Sequence, residues 1–109
     1  MAYFDVNPTS STGVEIAAAS TGNRARFVAI GFSNDDTVQR TLLIYDGTAA
    51  AGTVRTRISL AAGSGAYSVI DQAGKSIFPK TWFTAGSAIE CALSGSGSVR
   101  VWGEVVREA

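Results

Sequence analysis

The chain offers few side chains that could do chemistry. It has 109 residues, nine acidic and nine basic side chains, one cysteine and no histidine. Without histidine a Ser-His-Asp triad is impossible, and a cysteine nucleophile would lack its usual base. The sequence also has no G-x-S-x-G elbow, no phosphate-binding G-x-x-x-x-G-K and no metal-ligand spacing. We therefore predict no enzyme, no catalytic residue, no cofactor and no metal. A carboxylate pair assembled by folding leaves glycoside hydrolysis as the remaining enzymatic alternative.

Two short segments that contain aspartate are the best candidates for a metal or carboxylate site. Asp35 and Asp36 are adjacent in N-D-D-T, and Asp46 precedes Gly47. Calcium takes roughly six to eight oxygen ligands, usually from several spaced carboxylates, which this short cluster does not supply. Asn, Asp and Gly are also the residues that favour turns. We predict a hairpin turn at each position.

Four of the nine basic residues form two arginine pairs, and the members of each pair are two residues apart on a predicted strand. Arg24 with Arg26, and Arg55 with Arg57, could bind phosphates or carboxylates through their guanidinium groups. Alternatively, they are solvated and face carboxylates on neighbouring strands. The net charge is zero, and no aromatic residues alternate with these arginines. We therefore predict no nucleic-acid partner.

The single cysteine and the N-terminus bear on stability and location. Cys91 alternates with Ile89 and Leu93, so we predict a buried core residue. The start M-A-Y-F-D-V-N-P has no basic segment followed by an apolar one, which predicts no signal peptide. No apolar run approaches the roughly 20 residues that span a bilayer, so we predict no membrane partner and synthesis in a cytoplasm.

Period-two alternation and turn residues dominate the chain and predict an all-β fold. The segment T-V-R-T-R-I-S-L alternates cleanly, whereas R-F-V-A-I-G-F-S is apolar on both faces and is typical of a central strand. About eight such strands follow at the spacing of a sandwich, and their short loops favour antiparallel pairing. We predict a single antiparallel β-sandwich over residues 13–109, preceded by an extended N-terminal arm, residues 1–12.

The last two predicted strands flank the short Gly/Ser segment S-G-S-G-S. We predict that this segment is the loop of a closing hairpin rather than a tether. One core face would then be shared by Ile89, Cys91, Leu93, Val99, Val101 and Val105. The same alternation places Trp102 on the outward face with Arg100 and Glu104.

Five aromatic residues are the candidate contact residues: Tyr3, Phe4, Trp82, Phe83 and Trp102. The first two lie in the N-terminal arm, and the next two follow Pro79 in an irregular stretch. Three interpretations remain open. The rings fold into the chain's own core, or they contact a neighbouring subunit, where aromatics are enriched. In the third, Trp82 and Trp102 stack against sugars, as in carbohydrate-binding modules.

Three segments of the chain form a recognisable pattern of strands and turns: L-L-I-Y-D-G-T-A-A-A-G-T-V, I-S-L-A-A-G-S-G-A-Y-S-V-I and I-F-P-K-T-W-F-T-A-G-S-A-I-E-C-A-L-S-G-S-G-S-V-R-V-W-G-E-V-V. Over roughly residues 38–106 this pattern resembles that of small virion proteins of tailed bacteriophages. It implies a jelly-roll-like sandwich used as a structural building block, often as a trimer outside a capsid.

From this resemblance we expect a capsid decoration (cement) protein that binds the major capsid protein or other virion proteins. It would be made in the host cytoplasm and then carried on the virion surface. We further predict that the N-terminal arm becomes ordered on a neighbouring subunit. A tail, baseplate or fibre-attachment component and a carbohydrate-binding module are the alternatives.

Overall fold

The computed structural model describes residues 2–69 and 82–108, and every regular element within these ranges is a β-strand. The strands are β1 (Ala2–Val6), β2 (Val14–Ala17), β3 (Arg24–Asn34), β4 (Arg40–Asp46), β5 (Thr53–Leu60), β6 (Gly65–Val69), β7 (Ile89–Leu93) and β8 (Val99–Glu108). The predicted all-β class with about eight strands is confirmed. No helix in the described ranges is long and apolar enough to cross a membrane.

The strands form two four-stranded antiparallel sheets, in the orders β1-β8-β3-β6 and β2-β7-β4-β5. Strand β1 pairs with β8, β2 with β7, β3 with β6 and β4 with β5. The chain therefore runs as one long hairpin that is folded over on itself. Pairing of β3 with β8 and of β4 with β7 joins the four pairs into two sheets. This is the winding of a jelly roll, and it confirms the predicted jelly-roll-like sandwich.

Two predicted hairpins are wrong. Strands β3 and β4 are consecutive in the chain, as are β7 and β8, but in both cases the two strands lie in opposite sheets. Each short connection crosses from one sheet to the other. Alternation specifies which side of a strand is buried, and that side is the same whether the next strand is a hydrogen-bonded neighbour or faces it across the core. The shared core face was therefore predicted correctly, because the six side chains named above are all buried.

The N-terminal segment belongs to the chain's own sandwich. Strand β1 pairs with β8 from Ala2 opposite Val105 to Val6 opposite Val101. Backbone N–H groups of the 93–99 segment then donate to the carbonyl oxygens of residues 8–10 at 2.9–3.3 Å. The prediction that this arm becomes ordered on a neighbouring subunit is thus wrong for residues 2–10. The physical reason is that β1 satisfies backbone groups of β8 and brings an apolar ring into the core.

That ring belongs to Phe4, which lies opposite Gly103 of β8 and is only 8% exposed. A Cβ at Gly103 would overlap the carbonyl oxygen of Ala29, because a bulge brings β3 close at this point. Phe27 lies 5.7 Å from Phe4 and 5.6 Å from Phe83, measured between ring centroids. Three phenylalanines thus pack in series in the core.

Cys91 is fully buried, as predicted. Burial raises the pKa of its thiol to about 12, and the charge of Glu90 acts in the same direction. The thiol is therefore an apolar packing group at neutral pH and is closed to reagents while the core is intact.

A buried asparagine ties together the loops at one end of the sandwich. Asn34 is 1% exposed, and its amide nitrogen lies 2.9–3.2 Å from the carbonyl oxygens of Val38, Leu60 and Ala61. Its side-chain oxygen accepts a hydrogen bond of 3.0 Å from the N–H of Asp36. Asn34 therefore holds the connection between β3 and β4 against the connection between β5 and β6.

The acidic pair at this end is structural. The carboxylate of Asp36 accepts hydrogen bonds from Arg40 at 2.8 Å and from the N–H of Ser98 at 2.6 Å. The pKa of Asp36 is lowered by the bond to Arg40 and further by the bond from Ser98. Asp35 accepts from the hydroxyl of Ser33 at 2.9 Å. These carboxylates fix a turn between the sheets rather than a hairpin.

Candidate functional site

The outward face of the β1-β8-β3-β6 sheet carries a cluster of aromatic and charged side chains. On β8, Arg100, Trp102 and Glu104 alternate with buried positions, as predicted. The register with β1 places Asp5 opposite Trp102 and Tyr3 opposite Glu104. We call these five residues the Trp102 face.

The indole of Trp102 is positioned by a glycine on the neighbouring strand. Trp102 lies opposite Gly31 of β3. A Cβ at Gly31 would lie 2.5–2.9 Å from three atoms of the indole, which is closer than any side chain could tolerate. The ring therefore packs against the backbone of β3, and its remaining surface keeps Trp102 half-exposed. An aromatic ring held in this way is a pre-organised contact surface.

Asp5 and Arg100 form a two-point ion pair beside the indole. The guanidinium donates to the two carboxylate oxygens at 3.0 and 2.8 Å. This hydrogen bonding lowers the pKa of Asp5 and raises the pKa of Arg100. The guanidinium carbon lies 5.1 Å from the centroid of the Trp102 ring. The pair thus fixes the orientation of Arg100 over one part of the ring.

A surface concavity of about 490 Å³ lies within the Trp102 face. Tyr3, Trp102 and the Asp5–Arg100 pair line it, together with Glu104 and the small residues Ala29 and Gly103. Tyr3 is 85% exposed. Glu104 is half-buried, and none of the residues in the described ranges forms an ion pair with it.

Two of the five predicted contact residues lie in the core instead. Phe4 is 8% exposed and Phe83 is 6% exposed, and both pack against Phe27. Their prediction as partner contacts is wrong, because β1 and the 82–84 segment both fold back onto the sandwich. The N–H of Phe83 donates to the carbonyl of Ala25 at 2.7 Å, which places its ring over the end of the core.

Trp82 lies in a second cluster, apart from Trp102. The guanidinium carbons of Arg24 and Arg26 lie 4.3 and 5.2 Å from the centroid of its ring. Arg24 also reaches Glu108 on the neighbouring strand at 3.3 Å. The structure therefore brings Tyr3 and Trp102 together and leaves Trp82 with the arginines.

In the second arginine pair, Arg55 also makes hydrogen bonds within the chain. Arg55 donates to Asp46 at 3.3 Å and to the carbonyl of Trp82 at 2.8 Å. Asp46 in turn accepts from the N–H and the hydroxyl of Thr84 at 3.0 and 2.7 Å. Arg55 and Asp46 therefore hold the 82–84 segment in place. In the described part of the chain, no cluster of three or more potential metal ligands is present.

Sequence reasoning missed two residues of this site, Asp5 and Gly31. Glu104 and Arg100 were visible beside Trp102 by alternation. Asp5 becomes a member only through the pairing of β1 with β8. Gly31 carries no sequence signal of its own, because a glycine in a central strand does not reveal which ring lies over it.

Comparison with known proteins supports the fold and goes no further. No family model matches the chain, and no curated protein matches it. A solved structure from Bacillus, described under "Bacillus endospore appendages form a novel family of disulfide-linked pili", has a similar fold with a TM-score of 0.53. It shares 14% sequence identity, over 99% of this chain and 85% of that chain. At this identity the likeness shows the fold alone.

Proposed function

We propose that this protein is a non-enzymatic structural subunit of a bacteriophage virion, and specifically a capsid decoration protein. It acts by binding, with the Trp102 face laid against the major capsid protein or another virion protein. Many moderate contacts, repeated by the symmetry of the shell, give avidity without one tight site. A homotrimer on the capsid surface is the proposed oligomeric state.

The observation that carries this proposal is the composition of the Trp102 face. Tyr, Trp and Arg are the residue types that dominate binding energy at protein interfaces. Here a tyrosine, a tryptophan and an arginine share one sheet face, and backbone packing and an ion pair fix the indole and the guanidinium. A jelly roll is also a recurrent architecture of viral capsid proteins, which is support by analogy of fold.

The manner of assembly that we propose is non-covalent. The fold neighbour is described as forming disulfide-linked pili. In this chain the one cysteine, Cys91, is fully buried, and burial raises its pKa to about 12. A disulfide between subunits through Cys91 would require the core to open, so its assembly must use surface contacts.

The decoration function can be tested with heads of the phage that encodes this protein, produced without its gene. Purified protein should co-sediment with these heads to a saturating, symmetry-related stoichiometry and should raise the temperature at which they rupture. Light scattering on the free protein tests the trimer. Attachment only to tails would instead support the baseplate alternative, and attachment to neither structure would contradict the proposal.

A further inference from the structure

The Trp102 face contains one carboxylate, that of Glu104, which forms no ion pair with any residue in the described ranges. Asp5 is paired with Arg100 at 2.8 Å, so these two charges offset each other. Glu104 lines the same concavity with no ion-pair partner there. The side chains around the concavity thus include two carboxylates and one guanidinium, which leaves a net charge of −1.

The position of Glu104 makes this charge available to a partner. Glu104 lies between Tyr3 on β1 and Ala29 on β3, and both are its direct cross-strand neighbours. Glu104 lines the concavity, and its neighbours Ala29 and Gly103, which also line it, have little or no side chain. Tyr3 and Trp102 provide aromatic surface within the same concavity.

We propose that this concavity receives an arginine side chain presented by the partner protein. A guanidinium fits each part of the lining: it pairs with a carboxylate at two points and stacks on aromatic rings through its flat face. A lysine ammonium would satisfy the charge but would lack the flat face. This inference rests on the proposed use of the Trp102 face as a binding surface and specifies the chemistry of its partner.

The negative charge of Glu104 favours an arginine side chain over a glycan as the occupant of the concavity. A neutral sugar could stack on Trp102 or Tyr3, but it would leave the charge of Glu104 without a counter-ion. A guanidinium neutralises it. Exposed pairs of this kind contribute little individually, so the contact provides specificity within a larger interface rather than high affinity by itself.

Small probes test this site without any virion component. N-acetylarginine amide is titrated into the full-length, ¹⁵N-labelled protein, while the indole N–H resonance of Trp102, assigned with Trp102→Phe, is followed by NMR. N-acetylcitrulline amide, which has nearly the same shape and no charge, is the matched ligand. We expect the arginine probe to shift the Trp102 resonance with saturation, and the citrulline probe to shift it much less.

Two glutamine variants locate the interaction. Glu104→Gln should weaken binding of the arginine probe about fivefold, as loss of an exposed charge-assisted contact predicts. Glu15→Gln is the matched control, because Glu15 lies on β2 in the other sheet. It should leave binding unchanged.

Several results would overturn the inference: equal binding of the two probes, no saturation by either, or no effect of Glu104→Gln. Saturable binding of methyl glucoside in place of arginine would assign the concavity to a glycan. Heads that bind wild type and Glu104→Gln equally would remove this inference but leave the decoration function standing. If the arginine probe binds with saturation but the protein does not bind heads, the arginine site would stand and the decoration function would be contradicted.

Discussion

At the scale of single residues, Asn34 is a buried polar side chain that contacts backbone carbonyl groups of two connections. Replacing it with alanine removes its hydrogen bonds and leaves carbonyl groups of two loops without donors. We expect Asn34→Ala to lower the free energy of unfolding by about 2–3 kcal/mol, measured by urea denaturation. Asn23→Ala is the control, since that side chain makes one bond to Ser20 in a turn. Equal losses in the two variants would contradict the role of Asn34.

Gly31 gives a second residue-scale prediction. In Gly31→Ala the new methyl group would lie 2.5–2.9 Å from indole atoms, so the ring of Trp102 must move away from β3. We expect a loss of about 1–3 kcal/mol of unfolding free energy and a shifted Trp102 indole resonance. Gly95→Ala, with no atom within 4 Å of the added methyl, should change neither quantity. An unshifted resonance in Gly31→Ala would show that the indole does not pack there.

Asp36 makes stability depend on pH in the acid range. Its hydrogen bonds from Arg40 and Ser98 lower its pKa from the ordinary value of 3.8 in the folded state. A lowered folded-state pKa contributes stability that is fully present above 3.8 and is lost as the pH falls through the folded value. Urea unfolding across acid pH should therefore give a shallower loss of stability for Asp36→Asn than for wild type. Identical slopes would contradict the assignment.

At the scale of elements, β1 decides between two views of the N-terminus. Deleting residues 2–6 removes Phe4 from the core and uncovers the edge of β8. We expect the free energy of unfolding of the isolated protein to fall by at least about 3 kcal/mol, from the loss of one buried phenylalanine. An arm that ordered only on a neighbour would leave the isolated protein unaffected. Thermal or urea unfolding of the deletion variant separates the two views.

Most strands, though not β1, could be predicted from the sequence, whereas the pairing of the strands could not. The alternation from Val99 to Val105 specified which side chains face the core and placed Trp102 outward. The loops after β3 and β7 have the length of hairpin loops, yet both cross between sheets. Short A-Y-F-D-V carries too weak an alternation to indicate a strand, and its place is determined by the free edge of β8.

At the scale of the whole molecule, the site arises from the order in which the jelly roll winds. Pairing the first strand with the last places Tyr3 and Asp5 beside residues almost 100 positions later in the chain, such as Trp102. The sequence predicted Tyr3 and Trp102 as candidates but gave no reason to join them. It also placed Phe4 and Phe83 with them, because an aromatic residue outside a recognised strand carries no sign of whether it will be buried.

The binding of phage heads by a variant of the Trp102 face tests the central claim most directly. Tyr3→Ala/Trp102→Ala alters two outward side chains, and its folding is verified by circular dichroism. Val38→Ala, an exposed hydrophobic residue in the loop between β3 and β4, is the matched control. In co-sedimentation with heads lacking this protein, we predict that wild type and Val38→Ala bind equally and that the double variant binds at least about tenfold more weakly. Undiminished binding of the folded double variant would contradict the account.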